Sequence, residues 1–123
     1  VNEEYKDLTP VLYGEEINFD MYGISNMLFL VNGISAVQIV QRNVYSTSGE
    51  DEESFDNVLM DAPFALNVAI EESFVYKYGL PAKSAVDWAN YQIVVHKLKP
   101  TGKAIVTSSV GGLGSTPEFW SLV

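Results

Sequence analysis

The chain has 123 residues, of which 47% are apolar, so it is long enough for one domain with a hydrophobic core. It contains no cysteine, which excludes disulfides, thiolate nucleophiles and cysteine metal sites. Its formal net charge of −9 argues against a nucleic-acid partner, because phosphate binding needs clustered basic side chains and the whole chain has seven Lys and Arg.

The N-terminal part is predicted to hold a polar arm and a first strand. Residues 1–10 are expected to form a mobile arm, and residues 11–123 a single β-rich domain with an apolar C-terminal tail. Beyond the arm, apolar and polar residues alternate as far as Gly23. The apolar members of this pattern are Ile17, Phe19 and Met21. A period of two is typical of a half-buried strand, which we expect to end at the glycine.

Residues 26–45, NMLFLVNGISAVQIVQRNVY, admit two interpretations. Asn32-Gly33 lies between two apolar runs, and in that setting the pair predicts a β-hairpin closed by a type I′ turn. The second run is rich in Val and Ile, which favour strands. The alternative is a single helix over residues 26–41. That helix would carry Gly33 and several β-branched residues in its interior, so we favour the hairpin.

Residues 48–62 are predicted to form a helix. Ser48 is a suitable N-cap, and the acidic residues 50–53 would lie in the first turn, where the helix dipole favours negative charge. Four apolar residues follow the spacing i, i+3, i+4 and i+7: Phe55, Val58, Leu59 and Ala62. Pro63 disfavours helical geometry at the residue before it, so the helix is expected to end there.

The rest of the chain is predicted to be mainly strand. Residues 64–78 alternate like two strands, although a helical stripe also fits them. A helical turn is expected around residues 83–89. A second hairpin is expected from the β-rich runs 91–98 and 103–109, with a turn at Pro-Thr-Gly, residues 100–102. These elements predict a mainly β fold, a single-domain antiparallel β-sandwich or barrel with one or two short helices; an α+β fold is the alternative.

The sequence offers few of the residues that usually make and break bonds. His96 is the one histidine, and the alternation around it predicts a strand histidine. No serine lies in a G-x-S-x-G motif, no zinc-ligand spacing is present, and the GGLG of residues 111–114 lacks the rest of a phosphate-binding loop. We therefore predict no catalytic residue, no metal and no cofactor, and a protein that is not an enzyme.

Charge and aromatic content favour a structural protein that assembles through its surfaces. Residues 1–72 carry a net charge of −12 and residues 73–123 a net charge of +3, a polarity that favours head-to-tail association. Aromatic residues, which are enriched at interfaces, make up 12% of the chain. We predict a subunit of a homo-oligomer or other self-assembling complex, such as a virion component or surface filament, extracellular or in a virion and without a membrane span. The candidate contact residues are Trp88, Tyr91, Phe119, Trp120, Tyr76 and Tyr78.

Two other functions remain open. A carbohydrate- or small-ligand-binding β-domain would use exposed Trp and Tyr, above all Trp88 and Trp120, as a stacking platform. A hydrolase would use two carboxylates or His96. The assembly subunit is favoured over both because the usual catalytic residues are missing.

Overall fold

The computed structural model describes residues 10–46, 52–62, 76–81 and 86–109. The chain divides into two compact units, Val1–Val44 and Tyr45–Val123. Several predictions lie outside the described residues. They are the arm at residues 1–9, most of the ambiguous stretch 64–78, the glycine-rich connector 111–114 and the apolar tail 117–123.

The first unit is built from two strands joined by a helix. Strand β1 covers Leu12–Glu16, helix α1 covers Phe19–Val31 and strand β2 covers Val37–Gln41. The strands pair in parallel, in a register that runs from Leu12↔Val37 to Glu16↔Gln41. Parallel strands cannot be joined by a tight turn, and the helix supplies the crossover between them.

Helix α1 begins where the sequence predicts a continuing strand. The Asn18 side chain accepts hydrogen bonds from the backbone N–H groups of Asp20 at 2.9 Å and Met21 at 3.0 Å, which makes it the N-cap. Asp20 adds a negative charge to the first turn, where the helix dipole favours it. The predicted strand through Met21 to Gly23 is therefore wrong, and Gly23 lies inside the helix.

The end of α1 also replaces the predicted hairpin. Asn32 is the C-cap, and its Nδ2 donates to the Leu28 carbonyl at 2.8 Å. Gly33 follows with a φ of 69°, the left-handed conformation that often terminates helices and that glycine adopts at low cost. Asn-Gly thus closes a helix, so the predicted hairpin of residues 26–45 is wrong. The helical alternative is correct as far as Val31, after which β2 begins at Val37.

The second unit contains another parallel strand pair. Strand β3 covers Phe55–Met60, helix α2 covers Val86–Lys97 and strand β4 covers Leu98–Val106. A 3-10 turn, Val44–Ser46, precedes them and begins at the last residue of the first unit. Strand β3 pairs with β4 in parallel from Asn57↔Lys103 to Met60↔Val106, with an irregularity between Phe55 and Asn57. The helix predicted for residues 48–62 is wrong where β3 lies; residues 47–51, with the predicted cap Ser48, are outside the described residues.

Helix α2 occupies the first arm of the predicted second hairpin. Of the helical turn expected at residues 83–89, residues 86–89 lie in a helix that continues to Lys97, and residues 83–85 lie outside the described residues. The predicted turn at residues 100–102 lies inside β4, so the hairpin of residues 91–98 and 103–109 is wrong. The apolar core of this unit is largely supplied by α2. Its buried members are Tyr45, Tyr76, Val86, Trp88, Ala89, Ile93 and Val94.

The predicted antiparallel β-sandwich or barrel is therefore contradicted. Throughout the described ranges the strands form two separate parallel pairs, and two helices accompany them. The fold is small and mixed α/β. Neither described helix combines the length and apolar character needed to cross a membrane.

Candidate functional site

The carboxyl ends of the strands are the first place to look for a site in this fold. In open α/β sheets, ligands bind in the crevice outside those ends. The first unit has such an edge where β1 ends at Glu16 and β2 ends at Gln41. The second unit has one where β3 ends at Met60 and β4 ends at Val106. Each edge is followed by polar side chains.

The β1–β2 carboxyl edge, defined by Glu15, Glu16 and Arg42, is held together by an ion pair between a half-buried arginine and a buried carboxylate. Arg42 Nη2 contacts Glu15 Oε1 and also donates to the Tyr13 hydroxyl at 2.8 Å. The Tyr13 hydroxyl donates to the same carboxylate at 3.2 Å. The Glu15 side chain is only 5% exposed, so its charge relies on these partners. A backbone hydrogen bond from Arg42 to the Glu16 carbonyl, 3.1 Å, extends the strand pairing past Gln41.

Glu16 is the carboxylate of this edge that faces away from the ion pair. Successive residues of a strand point to opposite faces, so Glu15 and Glu16 project to different sides. Glu16 Oε1 accepts a hydrogen bond from the Asn18 backbone N–H at 2.6 Å, in the turn that leads into α1. One carboxylate oxygen is thus oriented by the start of the helix. Among the described residues, none donates to the other oxygen.

The β3–β4 carboxyl edge, defined by Asp61 and Thr107, presents a second oriented carboxylate. Asp61 directly follows β3, and Thr107 directly follows β4. The Thr107 hydroxyl donates to Asp61 Oδ1 at 2.7 Å. The backbone N–H of Thr107 donates to the Met60 carbonyl at 3.0 Å, which continues the ladder between the strands. Asp61 is exposed, so its carboxylate is available to a ligand.

A buried polar cluster in the second unit surrounds the start of α2. The Tyr45 hydroxyl donates to Asn90 Oδ1 at 2.9 Å, and Asp87 accepts from the Ser109 hydroxyl at 2.5 Å. Burial raises the pKa of Tyr45, and the Asp87 charge raises it further. Burial likewise raises the pKa of Tyr76 to about 12. These tyrosines stay neutral at ordinary pH, so the cluster is suited to holding the fold together and not to proton transfer.

His96 lies in α2 and not in the predicted strand. Its side chain is 1% exposed, and its Nδ1 lies 4.0 Å from a carboxylate oxygen of Glu52. The Glu52 carboxylate is also contacted by Lys77, and this hydrogen bond, with the lysine charge, lowers the pKa of Glu52. The described residues contain no group of three potential metal ligands. A buried histidine in a helix does not offer an accessible general base.

The predicted contact residues occupy different environments. Trp88 and Tyr76 are both buried, at 7% exposure, and Tyr91 is half-buried. Tyr78 is 45% exposed, and its backbone N–H donates to the Gln92 side chain at 3.0 Å. Phe119 and Trp120 lie outside the described residues. The contact roles of all six stay predictions.

Sequence reasoning did not single out the carboxylates at the two strand edges. A signal for them was present: the apolar run VLM ends directly at Asp61, and VLYG ends directly at Glu15-Glu16. An acid immediately after an apolar run is informative once the run is known to be a parallel strand. The run VLM, residues 58–60, was predicted to be helical, so Asp61 was placed near the end of a helix and not directly after a strand.

A protein-family model matches most of the chain. The family model described as N-6 DNA Methylase matches residues 1–116. No curated protein matches the chain, and no solved structure matches it either. The family match contradicts the predictions of a protein that is not an enzyme and of a structural subunit of a virion, filament or other self-assembling complex. It also leaves the exclusion of nucleic acid without support, since a DNA methylase acts on DNA. Because the match covers most of its length, the chain belongs to the N-6 DNA Methylase family.

Proposed function

We propose that the protein transfers a methyl group to the exocyclic N6 amine of adenine in DNA. The observation that carries this proposal is the placement of Asp61: an exposed carboxylate at the carboxyl end of β3, with one oxygen fixed by Thr107. The family match supplies the reaction class. The strand edge supplies a group of the right chemistry for the substrate.

The adenine amine needs an acceptor because it is a weak nucleophile. Its lone pair is delocalised into the aromatic ring, and it carries two N–H donors. A carboxylate that accepts one of these hydrogens draws the amine into place and raises the electron density on nitrogen. Within the described part of the chain, Asp61 Oδ2 has no donor, so it is the oxygen we assign to the amine. An ionised acceptor makes a stronger hydrogen bond than a neutral one.

The substrate base has to leave the DNA stack before it reaches such a group. Enzymes that act on a base inside a duplex extrude the nucleotide into a pocket. In a base pair one hydrogen of the adenine amine is already bonded to thymine, and extrusion leaves both hydrogens free for an acceptor. We therefore expect binding of the protein to unstack the target adenine.

The reaction needs a donor that carries its methyl group on a positively charged sulfur, as S-adenosylmethionine does. The amine nitrogen forms a bond to the methyl carbon as the bond from that carbon to the sulfur breaks. S-adenosylhomocysteine leaves, and the nitrogen loses one proton to water. The task we assign to Asp61 is to accept a hydrogen bond from the amine and hold it in place.

The role of Asp61 is tested by measuring N6-methyladenine formed in DNA. Asp61→Ala is expected to lower kcat by about 10²-fold or more, the usual effect of losing a positioned group in a reaction of this kind. The matched control is Asp56→Ala, because Asp56 lies on the same strand and pairs with Lys99 at an exposed position. An exposed pair contributes little to stability, so this variant should keep its activity. The role of Asp61 is refuted if Asp61→Ala keeps activity within threefold of the control.

A further inference from the structure

We propose that Thr107 is a positioning residue for methyl transfer, and that it acts by fixing the orientation of the Asp61 carboxylate. This inference rests on the proposed function, because it assigns a task to Thr107 only if Asp61 receives the adenine amine. The observations are the two hydrogen bonds between the strand ends, one through the backbone and one through the side chains.

The backbone of Thr107 is itself held in place. Its N–H donates to the Met60 carbonyl at 3.0 Å, one step beyond the last registered pair, Met60↔Val106. Thr107 therefore stands opposite Asp61 at the end of the ladder. Its side chain is branched at Cβ, which restricts rotation about χ1. The hydroxyl consequently approaches Asp61 from a fixed direction.

The hydroxyl then selects one carboxylate oxygen. It donates to Oδ1 at 2.7 Å, a normal length for a hydrogen bond from a hydroxyl group. With Oδ1 engaged, rotation of the carboxylate is restrained and Oδ2 points to a single position. An exposed aspartate without this restraint would sample several rotamers in water. A group that is already oriented before substrate arrives does not have to be ordered during the reaction.

The test is a pair of substitutions at position 107. Thr107→Val keeps the shape and removes the hydroxyl, and we expect kcat to fall about 10-fold while the KM for DNA stays unchanged, the effect of one hydrogen bond to a charged group. Thr107→Ser restores the hydroxyl and should recover most of the lost rate. The matched control is Thr101→Val, at an exposed position of β4 where the described residues give the hydroxyl no partner, and it should match the unsubstituted protein.

The outcomes distinguish this inference from the proposed function. If Asp61→Ala abolishes methyl transfer while Thr107→Val and Thr101→Val behave alike, the positioning role is refuted and the proposed function stands. If Asp61→Ala itself has no effect, the proposed function fails first. A fall in rate for Thr107→Val that Thr107→Ser does not rescue would also overturn the inference, because a merely structural loss does not depend on the hydroxyl. Thermal unfolding of each variant checks that the fold is intact.

Discussion

Replacing Gly23 with alanine tests whether residues 19–31 form the helix that links the two strands of the first unit. Gly23 lies inside α1, and a Cβ built there has no atom within 4 Å. The substitution therefore adds no clash, and its effect reduces to helix propensity, where alanine is favoured over glycine by about 0.8–1.0 kcal/mol. Had the residue ended a strand, as the alternation predicts, alanine would bring no such gain.

The measurement is hydrogen exchange of the α1 backbone amides. It reports on this helix directly, whereas a single unfolding free energy is poorly defined for a chain with two units. A gain of about 1 kcal/mol slows exchange through local opening about fivefold. Gly33→Ala provides the opposite sign, because its φ of 69° costs a residue with a Cβ about 1–2 kcal/mol. Faster or unchanged exchange in Gly23→Ala, with Gly33→Ala responding as expected, would refute the helix.

Three further predictions concern the Arg42–Glu15 ion pair, Gly102 inside β4 and the buried Tyr76. Arg42→Leu should destabilise the first unit by about 3–5 kcal/mol, because the buried Glu15 carboxylate loses its ion pair. Hydrogen exchange should show a smaller loss of stability when Arg42→Leu is combined with Glu15→Leu. Equal losses in the single and double variants would contradict this prediction. Gly102→Ala should destabilise the β3–β4 pair by about 1–3 kcal/mol, since its Cβ would lie 2.9 Å from the Asp56 carbonyl oxygen. The measurement is faster hydrogen exchange of the β3 and β4 backbone amides, and unchanged exchange would instead favour the exposed turn predicted at residues 100–102. The pKa of Tyr76 is raised from 10.0 to about 12, so the fold favours its neutral form and the resulting stability, complete below pH 10, is lost as the pH rises towards 12. In an alkaline titration followed by circular dichroism, Tyr76→Phe should lose less structure between pH 10 and 12 than the unsubstituted protein. Parallel titration curves for the two proteins would contradict the raised pKa of Tyr76.

Sequence reasoning did not predict helix α1 because none of its residues is buried. A helical period is visible in a sequence only when one side of the helix is apolar and the other polar. The structure assigns no buried residue to α1, and its large apolar side chains stay exposed all along it. These are Phe19, Met21, Ile24, Met27, Leu28, Leu30 and Val31. What the sequence did contain was the capping chemistry, Asn18 before the helix and Asn32-Gly33 after it, and the second of these was taken as a hairpin turn.

The second unit was mispredicted for the opposite reason. Helix α2 is buried on nearly all sides, and its residues 93–95, IVV, form a continuous apolar run. Periodicity alone cannot assign such a run to a strand or to a helix. In β3 the half-buried and exposed positions alternate at Val58, Leu59 and Met60, but the same residues also fit a helical spacing. Leu59, predicted to face a core, is 76% exposed. The short strands and the presence of some helix could be predicted, whereas parallel pairing depends on partners that are distant in sequence.

The functional prediction failed because it searched for the wrong chemistry. It looked for histidine, cysteine and serine, the side chains that attack substrates or carry protons at neutral pH, and it considered carboxylates only as the paired acids of a hydrolase. Methyl transfer from an activated donor needs none of them, because the cofactor carries the reactive group and the protein supplies binding and orientation. The acceptor that we propose, Asp61, is a carboxylate. In sequence it is inconspicuous among 16 acidic residues, and only its place at the end of a strand separates it from the others.

The net charge of −9 led to the exclusion of nucleic acid as a partner, which the family match does not support. Net charge relates to contacts with phosphates and not to contacts with a base. Contacts with phosphates determine how strongly a protein holds DNA of any sequence, whereas contacts with a base determine what it recognises and modifies. Several basic side chains of this chain are already paired with acids: Arg42 with Glu15, Lys77 with Glu52, and Lys99 with Asp56. This pairing implies few phosphate contacts from these residues and a correspondingly shallow dependence of their DNA affinity on salt. It places no limit on a carboxylate that accepts a hydrogen bond from an extruded adenine, because that interaction needs a hydrogen-bond acceptor and no basic side chain.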